Sequence, residues 1–343
     1  MEHRNLGKAG VKVSRLCLGT MMFGDPTPEA ESVAIIRAAV DAGINFIDTA
    51  DKYNAGESER VVGRALKPVR DQVVLATKVH LPMGEGPNDK GSSRLHILRG
   101  VEASLERLGL DCVDLLYLHA PDPETPIEES LRALEDLVRA GKVLYVGCSN
   151  FRAWQTAHAL GVQAARGWDG FAANQPLYNL ANRDCEVEIL PMARELGLGV
   201  VPYSPLARGV LTGKYSPGQE PPPDSRAGRG NVRMLQTEFR QANLELAAAL
   251  GPVACEAGCT LSQLALAWVM ANPLVTAPII GPRTMEQLND NLGALGVTIT
   301  PEIEARIDEL VPPGEHCGKG YQDPSFPVTG RRAQEGKKRC RRP

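Results

Sequence analysis

The sequence predicts one α/β domain, a (β/α)8 barrel, on three observations. Eight short β-rich runs recur along the 343 residues, and most are followed by an amphipathic helical pattern, as parallel βαβ units require. The first run continues as LGTMMFGDPTPEA, which lacks the G-x-G-x-x-G turn of the rival fold, a doubly wound sheet. The units are spread evenly, which favours the barrel. The strand candidates are 15–19, 44–48, 73–78, 113–119, 143–147, 170–174, 198–203 and 276–281.

Three helices are predicted from their own residues. Apolar side chains in 93–108 recur at helical spacing, and Gly109 suits the left-handed end of that helix. Thr125, followed by a proline and then by Glu128, has the pattern of an N-cap with a capping box. Thr260 begins another helix, with a glutamine three residues later that completes the same reciprocal cap. These patterns place elements and say nothing about chemistry.

Two segments stand outside the repeating units. Residues 212–235 are rich in glycine, proline and charge and are too long for an ordinary βα loop. We assign residues 1–318 to the barrel and 319–343 to a basic C-terminal tail, whose last thirteen residues include seven lysines or arginines. We expect this tail to be disordered. A nucleic-acid-binding arm is the alternative, and nothing else in the sequence supports it.

Composition and charge argue against several classes of protein. The net charge of −3 and the isoelectric point of about 6.1 give no sign of a nucleic-acid or membrane-surface partner. The first ten residues lack the apolar core of a secretion signal, and no run of roughly 18 apolar residues could span a membrane. The eight cysteines form no C-x-x-C pair, so we expect free thiols in a reducing cytoplasm.

Polar side chains occur at the predicted carboxyl ends of the strands, where barrels of this kind carry their active sites. Ionisable groups come from three consecutive strands, which end at Asp48, Lys78 and His119. We therefore expect these groups to share one pocket. The full set of strand-end residues is Gly19, Thr20, Asp48, Lys78, His119, Ser149, Asn150, Gln175, Tyr203, Ser204 and Gly281.

Asp48, Tyr53, Lys78 and His119 together suit proton donation to a carbonyl oxygen. A tyrosine pKa of about 10 is too high for an efficient acid near neutrality, and a nearby lysine ammonium would lower it. A buried lysine would itself lose its proton unless a carboxylate, here Asp48, kept it charged. The histidine adds a hydrogen-bonding group that can orient a substrate oxygen.

Each of these four residues also has a structural explanation when taken alone. Asp48 could cap a loop, Lys78 could extend to solvent, Tyr53 could be a surface aromatic and His119 a core histidine. Their order along the ends of three consecutive strands favours a joint catalytic role. The other five histidines have no H-x-H or H-x-x-x-H spacing, so we expect no metal site and no metal-dependent hydrolase.

Seven ordered motifs resemble the aldo-keto reductase superfamily: FIDTADKYNAGESE, ATK, LLYLHAPDPETPIEESL, GKVLYVGCSNF, NQPLYN, PYSPLARGVLTGKY and IIGPRTMEQLNDN. The resemblance runs from about residue 5 to residue 312. It is closer to the YSPLARG-containing bacterial reductases and potassium-channel β-subunits than to aldose reductase. The resemblance implies a (β/α)8 barrel, NADPH/NADP+ as cofactor and reversible carbonyl reduction, with Tyr53 as the general acid of the tetrad described above.

The resemblance also implies a set of cofactor contacts. Ser149, Asn150 and Gln175 would bind the nicotinamide carboxamide, and Tyr203 would stack on its ring. Arg283 would hold a 2′-phosphate by two hydrogen bonds, although a solvated helix face could also explain Arg283 and Gln287. The complete set is Gly19, Thr20, Asp48, Ser149, Asn150, Gln175, Tyr203, Ser204, Leu206, Arg208, Gly209, Leu211, Lys214, Gly281, Arg283, Gln287 and Asn291.

The leading hypothesis is an NADPH-dependent reductase of a small-molecule aldehyde or ketone, with 212–235 folding over the cofactor as a clamp. One alternative is a cofactor-occupied binding or sensing subunit resembling channel β-subunits, and another is the same chemistry run as alcohol oxidation. Ala120 follows His119 where related sequences often carry arginine, so the substrate rim is less basic. The sequence indicates neither the substrate nor the oligomeric state. Candidate rim residues, which suggest a partly apolar carbonyl, are Met21, Met22, Phe23, His80 and Trp154.

Overall fold

The computed structural model describes residues 1–318 and 323–326, and these form a (β/α)8 barrel. All eight predicted strands are present, and each pairs in parallel with its neighbours. An antiparallel hairpin of β1 (His3–Asn5) and β2 (Lys12–Ser14) precedes them and was not predicted. The barrel strands are β3 (Cys17–Gly19), β4 (Phe46–Asp48), β5 (Val74–Val79), β6 (Val113–Leu118), β7 (Val143–Ser149), β8 (Ala173–Gln175), β9 (Gly199–Val200) and β10 (Ile279–Ile280).

The sheet closes between its last two strands. The ladder order is β10-β3-β4-β5-β6-β7-β8-β9, and the closing contacts are backbone hydrogen bonds from Thr276 to Val200 (2.8 Å) and from Ile279 to Pro202 (2.9 Å). The register aligns the strand ends, since Asp48 lies opposite Gly19. The polar residues that terminate neighbouring strands therefore reach the same rim.

The helices cover the outside of the barrel, and their predicted ends are largely confirmed. Ser93 caps the helix Arg94–Leu108 and Gly109 ends it in the left-handed conformation, while Thr260 and its glutamine partner form the predicted capping box of the helix Leu261–Ala271. The capping box at Thr125 is wrong, because the N-cap of the next helix is Pro126, one residue later, and no side chain caps it; the Thr125 hydroxyl donates to Asp122 (2.8 Å). The helices are α1 (Glu29–Asp41), α2 (Glu57–Leu66), α3 (Arg94–Leu108), α4 (Ile127–Arg139), α5 (Ala153–Arg166), α6 (Ile189–Leu196), α7 (Val232–Thr237), α8 (Gln241–Glu256), α9 (Leu261–Ala271), α10 (Met285–Gly293) and α11 (Pro301–Leu310).

Apolar side chains fill two layers. The outer layer lies between the strands and the helices, and the inner layer fills the barrel interior. Leu6 and Val13 of the hairpin segment belong to the inner layer together with Cys17 and Phe46, which begin their strands. The hairpin therefore closes the amino-terminal end of the barrel, which leaves the carboxyl ends of the strands as its open face.

The connection from β9 to β10 is the most elaborate in the molecule. It contains a 3-10 helix (Ala207–Thr212), the predicted long segment 212–235, and helices α7, α8 and α9. No single helix in the described ranges is long and apolar enough to cross a membrane, and α8 and α9 meet that test only as a pair bent by 86°. The predicted disorder of the tail 319–343 lies outside the described residues, apart from 323–326.

Candidate active site

A cavity of about 940 Å³ opens at the carboxyl ends of the strands. Its walls come from the strand ends, from the segment after β9 and from the start of α10. The predicted residues that line it are Gly19, Asp48, Tyr53, His119, Ser149, Asn150, Gln175, Tyr203, Ser204, Leu206, Arg208, Gly209, Lys214, Gly281, Arg283, Gln287 and Asn291. Side chains from widely separated parts of the chain therefore line one cavity, as their positions at the strand ends predict.

The floor of this cavity, which we define as Asp48, Tyr53, Lys78 and Gln175, is a connected hydrogen-bonded group. Lys78 is fully buried, and its ammonium contacts the Asp48 carboxylate, the Thr49 carbonyl (2.7 Å) and the Tyr53 hydroxyl (3.2 Å). Gln175 Nε2 donates to the second Asp48 oxygen at 2.9 Å. Both carboxylate oxygens are therefore satisfied, and Lys78 is held against the phenol.

A local turn places Tyr53 over this lysine. Tyr53 begins a short 3-10 turn in which Asn54 adopts φ 48°, a left-handed conformation that asparagine tolerates well. Asn54 Nδ2 donates to the carbonyls of Phe23 and Asp25, at 2.7 Å each. The turn is thereby fixed to the segment after β3.

The electrostatics of the floor differ in part from the sequence expectation. Burial lowers the pKa of Lys78, but Asp48 and Tyr53 outweigh this effect and the net pKa is raised, as expected. Burial raises the pKa of Tyr53, and although Lys78 opposes this rise, the net pKa stays above its ordinary value. The expectation of a lowered tyrosine pKa is therefore wrong, because desolvation of the phenolate exceeds the attraction of the ammonium.

His119 lies beside the tyrosine as a neutral ring. The two ring centroids are 6.1 Å apart with an interplanar angle of 81°. Burial, with Lys78 and His80 as further causes, places the pKa of His119 well below its usual range. His119 is thus a neutral hydrogen-bonding group that faces the cavity, as the sequence interpretation requires.

A cluster of cations lies at another part of the same cavity, where Lys214, Arg226 and Arg283 line the wall. The cationic cluster consists of Lys214, Arg226, Arg229 and Arg283, and none of the four forms a salt bridge with a carboxylate in the described residues. Burial and neighbouring arginines lower the pKa of Arg226 to about 10. The same two causes lower the pKa of Lys214 and of Arg283, although Asp224 attracts the latter. The net effect is that the charged form of these three side chains is disfavoured.

The backbone between β9 and the cluster is strained. Ser204, Ala207 and Arg208 have positive φ values of 54°, 45° and 54°, which non-glycine residues rarely adopt. Such conformations concentrate at ligand-binding segments, where the surrounding structure imposes them. Here Ser204 and Arg208 line the cavity, and Ala207 is buried between them.

Some predicted residues do not reach the cavity. Thr20 is buried behind the floor, where its hydroxyl donates to the Asp48 carbonyl (3.1 Å), and Leu211 is part of the outer apolar layer. Among the suggested rim residues, Met21 and Met22 line the cavity. Three others are not rim residues: Phe23 is fully buried, His80 bonds Ser92, and Trp154 is 64% exposed outside the cavity.

Sequence reasoning missed other lining residues. Arg226, Asn231 and Arg233 lie in 212–235, so the composition of that segment was the available signal. Ser325 and Phe326 come from the C-terminal segment, where Asp323 pairs with Arg233. No sequence pattern indicated this contact. Among the remaining missed residues, Lys52 and Asp290 lie within the quoted motifs but were given no role, and Leu81 lies outside them.

The family model described as Aldo/keto reductase family matches residues 15–312, which is most of the chain. The chain belongs to the aldo/keto reductase family. Members of this family bind a nicotinamide cofactor, and the family resemblance drawn from the seven motifs is confirmed. Within residues 1–318 and 323–326, no three His, Cys, Asp or Glu side chains are grouped as a metal site requires.

Similar proteins span nearly the whole length of this aldo/keto reductase. It is 42% identical to the Bacillus subtilis protein named uncharacterized oxidoreductase YrpG, over 94% of this chain and 99% of that protein. It is 40% identical to a probable voltage-gated potassium channel subunit beta of Oryza sativa, over 91% and 97% of the two chains. It is 34% identical to versiconal hemiacetal acetate reductase of Aspergillus parasiticus, over 93% and 100%. The oxidoreductase class is thus supported by family and relatives together.

Proposed function

We propose that this aldo/keto reductase family member reduces an aldehyde or ketone to an alcohol with NADPH, and that Tyr53 donates the proton. The observation that supports this proposal best is the 3.2 Å contact between the Tyr53 hydroxyl and the buried Lys78 ammonium, within a cavity large enough for a dinucleotide. The same residues favour the reverse reaction, alcohol oxidation, when the oxidised cofactor is in excess.

The choice of NADPH rests on the cationic cluster. Buried or partly buried cations without a counter-charge are costly, and a phosphate would relieve both their desolvation and their mutual repulsion. The amino terminus of α10 lies at the same place, since Arg283 and Gln287 line the cavity, and a helix start favours an anion. Arg283, Arg226 and Lys214 would hold the phosphates, while Tyr203 would face the nicotinamide, which supplies a hydride to the carbonyl carbon when the cofactor is bound.

The raised pKa of Tyr53 is compatible with its role. A phenol with a raised pKa remains protonated at neutral pH, so the acid form is fully populated. The oxygen that it protonates is becoming an alkoxide, a stronger base than phenolate, so the proton transfer is favourable. Lys78 then stabilises the phenolate that remains, and neutral His119 donates to or accepts from the substrate oxygen to orient it.

Substitution of Tyr53 by phenylalanine tests this assignment. We expect Tyr53→Phe to lower kcat by about 10²- to 10³-fold or more, since the proton donor is lost, while the NADPH Kd measured by fluorescence titration stays within about 3-fold. Tyr145→Phe, which changes a partly buried tyrosine outside the cavity, is the matched control. Loss of cofactor affinity in Tyr53→Phe with kcat intact would contradict the assignment.

A second candidate function is a cofactor-occupied binding or sensing subunit. It is favoured by the similarity to proteins named probable voltage-gated potassium channel subunit beta, at 40% and 39% identity. The two functions differ in turnover. NADPH and NADH oxidation measured against a panel of aldehydes and ketones would separate them, since a binding subunit would retain NADPH and show almost no turnover with any of the compounds.

A further inference from the structure

Asn150 makes three hydrogen bonds that connect two walls of the cavity. Its Oδ1 accepts from the Tyr203 hydroxyl at 2.8 Å, and its Nδ2 donates to the His119 carbonyl at 2.8 Å and to Ser149 Oγ at 3.1 Å. Asn150 has φ 63°, a left-handed conformation that follows directly after β7. The conformation turns the side chain so that it bridges the ends of two strands and the segment after a third.

The orientation of this carboxamide follows from its partners. The His119 carbonyl can only accept, so the NH2 group of Asn150 must face it and the carbonyl group must face Tyr203. Burial raises the pKa of Tyr203, so its hydroxyl is protonated and can donate. Both amide protons of Asn150 are therefore already bonded within the protein, which leaves only one lone pair for any ligand.

We propose that Asn150 is a positioning residue, which transmits the position of the Tyr203 ring to His119 through this pair of hydrogen bonds. This proposal rests on the proposed function, in which Tyr203 faces the nicotinamide and His119 orients the carbonyl. It goes beyond a ligand role for Asn150, because the tyrosine hydroxyl acts through the asparagine and needs no contact with the cofactor. The contacts from Tyr203 through Asn150 to His119 would then set the distance between the cofactor ring and the substrate carbonyl.

A double-mutant cycle tests the connection. Tyr203→Phe keeps the ring and removes only the hydroxyl, and Asn150→Gly removes the side chain at a φ that glycine adopts without strain. We expect Tyr203→Phe to lower kcat about 10-fold with the NADPH Kd within about 2-fold of wild type. In the Asn150→Gly background, the same tyrosine substitution should change kcat by less than about 2-fold, because its effect passes through Asn150. Circular dichroism verifies that each variant is folded.

The control for a lost tyrosine hydroxyl is Tyr145→Phe, since the Tyr145 hydroxyl makes no hydrogen bond within the described residues. We expect its kcat to equal that of wild type. Two results would overturn the proposal: a kcat of Tyr203→Phe equal to wild type, or reductions that multiply in the double variant. A merely structural role would instead raise KM for NADPH and lower kcat together.

A measurement without turnover distinguishes failure of this proposal from failure of the proposed function. Protein labelled with ¹³C at histidine carbonyls and ¹⁵N at alanine gives cross peaks for the two His-Ala pairs, His119–Ala120 and His158–Ala159. We expect Tyr203→Phe and Asn150→Gly to move the His119–Ala120 peak and to leave the His158–Ala159 peak, which belongs to α5, unchanged. If wild type shows no turnover but this shift occurs, the proposed function fails and the hydrogen-bonded connection stands. A His119–Ala120 peak that stays in place in both variants rejects the connection.

Discussion

Two regions of the same cavity stabilise their positively charged side chains to different degrees. At the floor, the Lys78 ammonium is fully buried and contacts a carboxylate, a carbonyl and a phenol, and its pKa is raised. In the cationic cluster, Arg226 and Arg283 have no salt bridge within the described residues, and their pKa values are lowered by burial and by neighbouring arginines. The charges of the floor are thus paired within the protein, whereas no carboxylate in the described residues forms a salt bridge with these two arginines.

The largest expected effect comes from breaking the charge pair of the floor. Lys78→Met leaves the Asp48 carboxylate buried without its charge partner, so we expect about 3–5 kcal/mol less stability at pH 7 and kcat lowered by about 10³-fold. The folded pKa of Lys78 is raised, so its stabilising contribution is fully present at neutral pH and is lost only when the pH rises through that value, above 10.5. Urea unfolding and steady-state kinetics provide the two measurements.

The matched variant for this experiment removes both charges. Lys78→Met combined with Asp48→Leu leaves no unpaired charge, so its stability should return toward wild type while its kcat stays at least as low as that of the single variant. The deficit of the single variant should also shrink as the pH falls toward 5, because an unpaired buried carboxyl gains a proton readily. A single variant as stable as wild type at pH 7 would show that the pair is not needed to hold the floor together.

The opposite response is expected in the cationic cluster. Arg226→Met should raise the stability of the cofactor-free protein by roughly 1 kcal/mol, because it removes a poorly solvated and repelled charge. It should also raise the NADPH Kd about 10- to 100-fold and the NADH Kd less, since a charge-assisted phosphate contact is lost. Calorimetry of the free and cofactor-bound protein measures both.

Arg229→Met serves as the control for this substitution. Arg229 belongs to the cluster but is exposed and does not line the cavity, so its loss should change the NADPH Kd by less than about 3-fold. Equal effects of the two substitutions would indicate a general electrostatic attraction instead of a contact made by Arg226. Destabilisation of the free protein by Arg226→Met would mean that an interaction within the chain already balances this charge.

The two regions also differ in how far the sequence could predict them. The residues of the floor could be predicted from the strand ends. The eight strands are recognisable as short apolar runs, and the last residues of parallel barrel strands lie at one rim. The expected net effect on the pKa of Tyr53 was nevertheless wrong. The sequence identifies Lys78 as a neighbour but does not give the depth of burial, and the desolvation of the phenolate decides the direction.

The cationic cluster was only partly predictable. Arg283 and Lys214 follow from motifs, whereas Arg226 lies in 212–235, where no periodicity relates sequence position to the direction of a side chain. The directions of the predicted rim side chains could not be read from the sequence either. Phe23 and Trp154 both follow strand ends closely, but Phe23 is buried in the core and Trp154 is exposed to solvent. At Thr125, the helix starts one residue later than the capping pattern predicts, and its N-cap Pro126 has no side-chain oxygen to accept a backbone N–H.

Cofactor binding should also protect the long segment 212–235 from proteolysis, and we expect this effect to be smaller than those of the substitutions. If 212–235 closes over a bound cofactor, trypsin cleavage after Lys214 and Arg229, both exposed in the free protein, should slow about 10-fold in saturating NADPH. Cleavage after Lys90, an exposed residue in the loop between β5 and α3, should not change and is the internal control. Mass spectrometry of the early fragments follows all three sites. Equal slowing at every site would indicate global stabilisation without a clamp.

Salt should produce the smallest effect and should separate the regions without any substitution. Ions screen interactions with exposed or partly exposed charges much more than those inside a buried pair. Raising KCl from about 0.05 to 0.5 M should therefore increase the NADPH Kd about 3-fold, through the cationic cluster, while kcat at saturating NADPH changes less than about 1.5-fold. NADH, which lacks the 2′-phosphate, should show a shallower dependence. If the Kd values of NADPH and NADH depend on salt to the same extent, the cationic cluster does not recognise the 2′-phosphate. A kcat that falls as the salt concentration rises would mean that ions reach the floor.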